Sequence, residues 1–204
     1  MSVQWAPLAP EINYLKCTVS PLSAEVVLIE GREHFWLFDV GASAEALECL
    51  QALPKQPNVV ISHFHPDHMG NLDKLTFNEL YLGSFTFQKA GVGTVVKEPF
   101  FLDDGIKLKL FPLPSSHARG SLGLEVNETY AFLGDAVYST MKQGRPAYNA
   151  TLLKDEIAAL RALKAPYFLL SHADPFLQKK EDVLTMLEGI YAQRDPNCPD
   201  IFPR

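Results

Sequence analysis

The chain has 204 residues, of which 47% are hydrophobic, and a net charge of -6 at pH 7. This length permits a single domain with a substantial core, and we expect one domain over residues 1–204. The acidic balance argues against a nucleic-acid partner, because phosphate binding depends on Lys and Arg. No apolar run approaches the roughly twenty residues needed to cross a bilayer, so we expect no membrane span.

Cysteine usage and the first residues give a prediction about the compartment. Cys17, Cys49 and Cys198 are odd in number, far apart and without C-x-x-C spacing, which indicates reduced thiols rather than a disulfide framework. Residues 1–10 lack a basic segment followed by an uninterrupted apolar one, so they do not resemble a secretory signal. We therefore expect a cytoplasmic protein.

In the first half, apolar runs flanked by turn and cap residues define the predicted elements. Gly31-Arg32-Glu33 separates two runs and predicts a hairpin, and Ser43 can cap a helix that Pro54 ends. The predicted strands are 26–30, 35–38, 58–62 and 81–83, and the predicted helices are 43–54 and 84–90.

In the second half, strands and helices alternate. Residues 106–110 and 122–126 alternate apolar and polar side chains as half-buried strands do, and residues 151–163 form an amphipathic helix. The remaining predicted elements are strands at 130–133 and 167–170 and a helix at about 180–193. Two successive halves of this kind predict two sheets inside and helices outside.

The densest motif is His63-Phe64-His65-Pro66-Asp67-His68, directly after the predicted strand at 58–62. His63 and His65 point the same way if the chain is extended, and the turn forced by Pro66 can bring Asp67 and His68 to the same place. Imidazole nitrogens and carboxylate oxygens are ligands for zinc or another borderline divalent metal.

Further polar residues follow the ends of other predicted strands. If these strand ends meet at one edge of the two sheets, the polar side chains come together there. They are Asp39, His117, Asp135 and His172. His117 alone could be a loop histidine, Asp135 a turn or helix-cap aspartate, and Asp39 the cap of the following helix. The alternative for Asp39 is to accept a hydrogen bond from a ligand imidazole and orient it. His34 lies outside the pattern and is expected to be a packing or surface residue.

The ordered motifs His63-x-His65-x-Asp67-His68, His117, Gly134-Asp135 and His172, preceded by Phe38-Asp39-Val40-Gly41, resemble the metallo-β-lactamase-fold hydrolase superfamily. The resemblance implies an α/β (α+β) fold, a four-layer αββα sandwich, with a binuclear metal site at one edge. It implies that His63, His65 and His117 hold one metal, that Asp67, His68 and His172 hold the other, and that Asp135 bridges them. A hydroxide between the two metals would then attack an ester, thioester or lactone carbonyl of a small molecule.

The expected cofactors are two divalent ions, most simply Zn²⁺, with Fe or Mn as alternatives. True β-lactamases of this fold characteristically carry Cys or Ser at the position resembling Asp135. The carboxylate therefore points to the glyoxalase-II-like or lactonase-like branch. Tyr138 follows Asp135 at the spacing at which lactonases carry a tyrosine that assists at the carbonyl; packing is its alternative role. The candidate catalytic residues are thus Asp67, Asp135 and Tyr138.

Two other functions are carried as alternatives. One is a phosphodiesterase or nuclease of the same fold, which the acidic charge disfavours. The other is a non-catalytic metal-binding scaffold or sensor, which the complete ligand set disfavours. Lys142 and Arg145 could meet a substrate carboxylate, but they are expected to lie in a solvated surface loop at 141–146.

Overall fold

The computed structural model describes residues 4–204, so Met1–Val3 of the segment inspected for a secretory signal lie outside the described residues. In chain order the strands are β1 (Ala6–Ala9), β2 (Ile12–Leu15), β3 (Thr18–Val19), β4 (Leu22–Ser23), β5 (Val26–Glu30), β6 (Phe35–Phe38), β7 (Asn58–Val60), β8 (Leu80–Leu82), β9 (Thr94–Val95), β10 (Phe100–Asp103), β11 (Lys107–Leu113), β12 (Ser121–Val126), β13 (Tyr130–Gly134), β14 (Thr140–Lys142), β15 (Arg145–Asn149), β16 (Tyr167–Leu170), β17 (Leu177–Lys179) and β18 (Asp200–Ile201). The helices are α1 (Ala44–Gln51), α2 (Pro66–Met69), α3 (Ser84–Ala90), α4 (Ala150–Arg161) and α5 (Lys180–Tyr191), with one 3₁₀ turn at Leu72–Lys74.

Two large sheets make up the centre of the molecule. The first has the order β1-β2-β5-β6-β7-β8-β9 and the second the order β10-β11-β12-β13-β16-β17. In the first sheet β6, β7 and β8 run parallel to one another, and in the second β13 and β16 are parallel. The carboxyl ends of these parallel strands carry the residues singled out from the sequence.

The buried side chains separate into three apolar layers. Between the sheets, Val27 and Ile29 of β5 pack in one cluster with Leu122 and Leu124 of β12. On the outer face of the first sheet, Val26 and Leu28 pack in a cluster with Ala46 and Leu50 of α1. On the outer face of the second sheet, Leu133 and Phe168 pack with Leu153 of α4 and Leu187 of α5. Two sheets enclosed by helices are a four-layer αββα sandwich, so the predicted fold class is confirmed.

The predicted elements of the core occur close to their predicted places. The hairpin is β5–β6, with Glu30 opposite Phe35. Ser43 caps α1 by accepting a hydrogen bond from the Ala46 N–H at 3.1 Å. The helix ends at Gln51, before Pro54, since the residue that precedes a proline disfavours the helical conformation.

Short edge elements were missed, and one predicted loop is a hairpin. Strands β1–β4, β9, β10, β17 and β18 are too short or too irregular to show a period in the sequence. The predicted surface loop at 141–146 contains β14 and β15, which are joined at Gln143 and Gly144. Both of these residues have positive φ, 52° and 72°, which matches the twist of the flanking strands in a two-residue hairpin turn. Within residues 4–204, no helix has the length and apolar character needed to cross a bilayer.

Glu156 is a buried carboxyl group on α4. It is fully buried, and within the described residues neither of its oxygens has a hydrogen-bond partner. Burial raises the pKa of Glu156 from 4.5 to about 9, because a carboxylate without a partner is poorly solvated there. The side chain is therefore protonated at neutral pH.

We expect Glu156 to make stability depend on pH. The folded protein binds this proton up to a higher pH than the unfolded chain, so stability is greatest below the unfolded pKa and falls as pH rises toward 9. The expected slope is about 1.4 kcal/mol per pH unit between these limits. Urea unfolding at several pH values would measure this slope. Glu156→Gln should remove it and Asp155→Asn, a neighbouring exposed position, should keep it; equal slopes in all three proteins would contradict this assignment.

Candidate metal centre

The candidate site lies at the carboxyl ends of the parallel strands. Asp39 directly follows β6, His63 follows β7 after two residues, Asp135 follows β13, and His172 follows β16 after one residue. His117 lies in the loop between β11 and β12. Because the carboxyl ends of parallel strands meet at one edge of a sheet, both halves of the chain deliver polar side chains to the same place.

The one-turn helix α2 reverses the direction of the chain within the His63–His68 motif. Its N-cap is His65 and its first residue is Pro66, a position that proline favours because its ring fixes φ and no N–H is needed there. His68 N–H donates to the His65 carbonyl oxygen at 3.1 Å. This turn places His65 in one group of side chains and His68 in a second.

The first group consists of three histidines whose ring nitrogens meet. His65 Nδ1 lies 2.9 Å from His63 Nε2 and 3.1 Å from His117 Nε2. His117 Nδ1–H donates to the Ser139 carbonyl oxygen at 3.2 Å, so the lone pair of this imidazole is on Nε2 and faces the group.

The second group contains two carboxylates and two histidines: Asp67, His68, Asp135 and His172. His172 Nε2 lies 3.0 Å from Asp67 Oδ2. His68 Nε2 lies 3.5 Å from Asp67 Oδ2 and 3.4 Å from Asp135 Oδ1. One donor atom from each of the four residues lies within 4.8 Å of all the others.

Asp135 stands between the two groups. Its Oδ2 is 3.3 Å from His117 Nε2 in the first, and its Oδ1 is 3.4 Å from His68 Nε2 in the second. One carboxylate therefore offers one oxygen to each group, which is the geometry of a bridging ligand.

The donor set fits divalent metals. Within residues 4–204, His68 Nε2 and Asp135 Oδ1 are buried without a hydrogen-bond partner. A buried unpaired polar atom costs about 1–3 kcal/mol, which a cation between the two atoms would offset. Imidazole nitrogen and carboxylate oxygen are ligands of zinc, iron and manganese.

Asp39 orients His68. His68 Nδ1–H donates to Asp39 Oδ2 at 2.8 Å, and Asp39 also accepts from the Ser62 N–H and the Ser62 hydroxyl, each at 2.7 Å. In the neutral imidazole that binds a metal, this bond keeps the proton on Nδ1, so the lone pair is on Nε2, which faces Asp67 and Asp135. The alternative role considered for Asp39, capping α1, is taken by Ser43.

Burial and nearby charges shift the pKa values of the site residues. Burial, reinforced by the neighbouring His68, lowers the pKa of His63 to about 2. Burial would also lower the pKa of His68, but the carboxylates of Asp39 and Asp135 outweigh it and raise this pKa to about 10. Burial opposes ionisation of Asp135 as well, yet the facing imidazoles of His117 and His68 hold its pKa far below the usual range. The site is thus built around ionised carboxylates.

The other residues named from the sequence have partners outside the two groups. Lys142 Nζ donates to Asp200 at 2.6 Å, and the Arg145 guanidinium lies over the ring of Phe202 at 5.1 Å. Both side chains therefore hold the C-terminal segment instead of facing the site. His34 is exposed and its Nδ1 lies 3.4 Å from Asp104.

Tyr138 is half-buried beside His117, with ring centroids 6.3 Å apart. Its hydroxyl donates to the Ser171 carbonyl oxygen at 2.6 Å, one residue before His172. The structure thus gives this hydroxyl a backbone partner, and assistance at a substrate carbonyl stays a prediction.

Sequence reasoning missed Ser62 and Glu25. The Ser62 hydroxyl lies within 3.2 Å of Asp39, His63 and His68. Glu25 is buried and accepts a hydrogen bond from the His172 N–H at 3.0 Å. Its only signal in the sequence is a charged residue at the head of the apolar run 26–29.

Comparison with known proteins identifies the fold. A sequence model described as the metallo-beta-lactamase superfamily matches residues 19–79. A comparison with curated proteins gives no match.

Three solved structures illustrate the similarity of fold. A flavoprotein from Thermotoga maritima aligns with 96% of this chain and 62% of its own at a TM-score of 0.73 and 15% identity. A metallo-beta-lactamase superfamily protein from Sulfolobus tokodaii aligns with 94% of this chain and 90% of its own, at a TM-score of 0.64 and 17% identity. A stereoselective inverting sec-alkylsulfatase from Pseudomonas sp. aligns with 93% of this chain and 42% of its own, at a TM-score of 0.69 and 16% identity. The chain thus spans less than two thirds of the flavoprotein and of the sulfatase.

The fold predicted from the motifs is therefore confirmed: the chain has the metallo-β-lactamase fold, and its residues 19–79 match the sequence pattern of that superfamily. The glyoxalase-II-like or lactonase-like branch stays a prediction. The candidate metal site lies at the edge of the sandwich where the motifs converge.

Single histidine substitutions would test the division into two groups. We expect His117→Ala and His172→Ala each to lower the metal content from about two ions per chain to about one, because each removes one ligand from one group. His34→Ala, which removes a histidine outside both groups, should leave the content unchanged. Elemental analysis of the purified proteins measures this, and a His172→Ala protein that retained both ions would exclude this imidazole as a ligand.

Removing the Tyr138 hydroxyl would separate its two possible roles. Tyr138→Phe should lower the free energy of unfolding by about 1 kcal/mol, because the Ser171 carbonyl loses its donor. Denaturant unfolding of the variant and the parent measures this loss. A fall in kcat of about 10²-fold with both metals still bound would instead assign the hydroxyl to the substrate carbonyl.

Proposed function

We propose that the chain is a hydrolase that uses two divalent metal ions to cleave an ester, thioester or lactone bond of a small molecule. The observation that carries this proposal is the place of Asp135, with one carboxylate oxygen toward each of two groups of ligand atoms. The proposed ligands are His63, His65 and His117 for one ion and Asp67, His68 and His172 for the other, with Asp135 shared.

Bound divalent ions would lower the pKa of a water molecule held between them and polarise the oxygen of the substrate carbonyl. Hydrolysis places the hydroxyl group of water on the carbonyl carbon, breaks the C–O or C–S bond, and puts the remaining proton on the leaving group. Asp67 is only partly buried and lies beside His172 at the rim of the site. Its carboxylate is therefore placed to hold the proton that passes from water to the leaving group.

In this proposal an apolar groove beside the metal loop, which none of the proposed ligands lines, would take part of a small substrate. A groove of about 840 Å³ runs along this loop and is lined mainly by apolar side chains, among them Phe64, Pro66 and Met69. Phe64 and Pro66 flank His65. With a net charge of -6, the chain is a poor match for a phosphate polymer.

Zinc is the proposed metal, and iron is the main alternative. Variants of a flavo di-iron protein from Thermotoga maritima share the fold, with TM-scores of 0.71 to 0.72. Nitrogen and carboxylate donors accept both metals, and selection in the cell depends partly on supply. The cytoplasmic location and the lack of nucleic-acid and membrane partners are part of the same proposal.

Metal analysis followed by an activity panel would test the function. We expect about two divalent ions per chain in protein purified without added metal, and turnover of thioesters, esters or lactones but not of phosphodiesters. Asp135→Ala should lower both the metal content and the turnover, because it removes the ligand common to both groups.

The same experiment separates the alternatives. Turnover confined to phosphodiesters would support a nuclease-like enzyme. Two bound ions without turnover of any substrate would support a scaffold or sensor. An Asp135→Ala protein with full metal content and turnover would contradict the proposed site.

A further inference from the structure

The segment Ser23–Glu25, just before β5, lies behind the second group of ligands. All three residues are buried, and Glu25 is only 4% exposed although it carries a carboxylate. A buried carboxylate is costly unless hydrogen bonds or charges compensate it. The partners of this segment therefore indicate what it does.

Each residue of the segment holds a different part of the site. The Ser23 hydroxyl oxygen accepts from the Ala42 N–H at 2.9 Å, in the turn that follows Asp39. The Ala24 N–H donates to the carbonyl oxygen of Asp67 at 2.9 Å. Glu25 Oε2 accepts from the His172 N–H at 3.0 Å. One short segment thus connects the backbones of two proposed ligands that are 105 residues apart in the chain.

The backbone of His172 needs such support. Its φ of 62° lies in the left-handed region, which costs about 1–3 kcal/mol when the surroundings do not enforce it. The Ala173 N–H to Leu170 carbonyl bond closes this turn, and three further hydrogen bonds hold it: Ser171 N–H to the Gly134 carbonyl, the Tyr138 hydroxyl to the Ser171 carbonyl, and His172 N–H to Glu25. Of the three, only the bond to Glu25 is made by His172 itself.

We propose that Glu25 is a positioning residue for the second metal ion: by accepting the His172 N–H, it holds this imidazole opposite Asp67. The inference rests on the proposed function only in taking the second group as a metal site. The carboxylate acts as a hydrogen-bond acceptor for the backbone and does not itself touch the ion.

Cys17 lies beside Glu25. One ligand atom from each of Cys17, Glu25 and His172 lies within 4.8 Å of the others. Burial, followed by the Glu25 charge, raises the pKa of Cys17 to about 11.

Three substitutions of Glu25 separate reach, charge and hydrogen bonding. Glu25→Gln keeps an acceptor oxygen at the same reach without the charge. Glu25→Asp keeps the charge but is one methylene shorter, and Glu25→Met removes the acceptor. Glu30→Met, at the exposed far end of β5, the strand that follows Glu25, is the matched control.

Two measurements follow on the intact chain. In metal-free protein, the His172 amide hydrogen should exchange about 10- to 100-fold faster in Glu25→Asp and Glu25→Met than in the parent, because it has lost its acceptor. In zinc titrations, the second ion should bind these two variants about 10- to 100-fold more weakly. Glu25→Gln and Glu30→Met should remain near the parent in both measurements, and the first ion should bind all four variants alike.

The outcomes that overturn the inference are distinct from those that overturn the proposed function. Parental affinity for the second ion in Glu25→Asp and Glu25→Met would overturn it, as would a loss of affinity without faster exchange of the His172 amide. An equal loss in Glu25→Gln would assign the effect to charge and also overturn it. If Glu25→Met does not fold, Glu25→Asp decides. Neither measurement uses turnover, so an absence of hydrolysis in the parent protein bears on the proposed function alone.

Discussion

The site depends on Asp135, whose carboxylate faces imidazoles of both groups. Burial alone would keep this carboxyl group protonated, but His117 and His68 hold its pKa far below the usual range. Five buried or half-buried imidazoles cannot all be positively charged at such short distances, because like charges repel strongly where water is scarce. The Asp135 carboxylate between the two groups offsets part of this charge.

Turns at the ends of the strands place the charged side chains of the site. Asp39 and His172 both adopt positive φ directly after or close to a strand, and so does Gly134. At Gly134 an added Cβ would lie 2.7 Å from Ser62, whose hydroxyl contacts Asp39. Only glycine fits here without displacing that contact. The strain in these turns is tolerated because hydrogen bonds hold them: Ser62 donates to Asp39, and Glu25 accepts from the His172 N–H.

The buried acidic groups have different functions in the fold. Asp39 and Glu25 are satisfied by hydrogen bonds from Ser62, His68 and the His172 backbone. Glu156 has no such partner in the described part of the chain and is protonated instead. A buried carboxyl group therefore indicates the candidate metal site only where donors converge on it, and burial by itself is not the signal.

The sequence alone determined the fold family and the candidate ligands, because strand period, caps and the His63–His68 motif are local features. It also predicted that Asp39 directly follows the strand at 35–38, as it does in the structure. Only the tertiary structure decided that Asp39 orients His68, that Tyr138 donates to Ser171, and that Lys142 and Arg145 hold the C-terminal segment. Glu25 shows the physical reason: its partner His172 is 147 residues away, and a contact across that separation is set by how the two sheets pack, which no local pattern records.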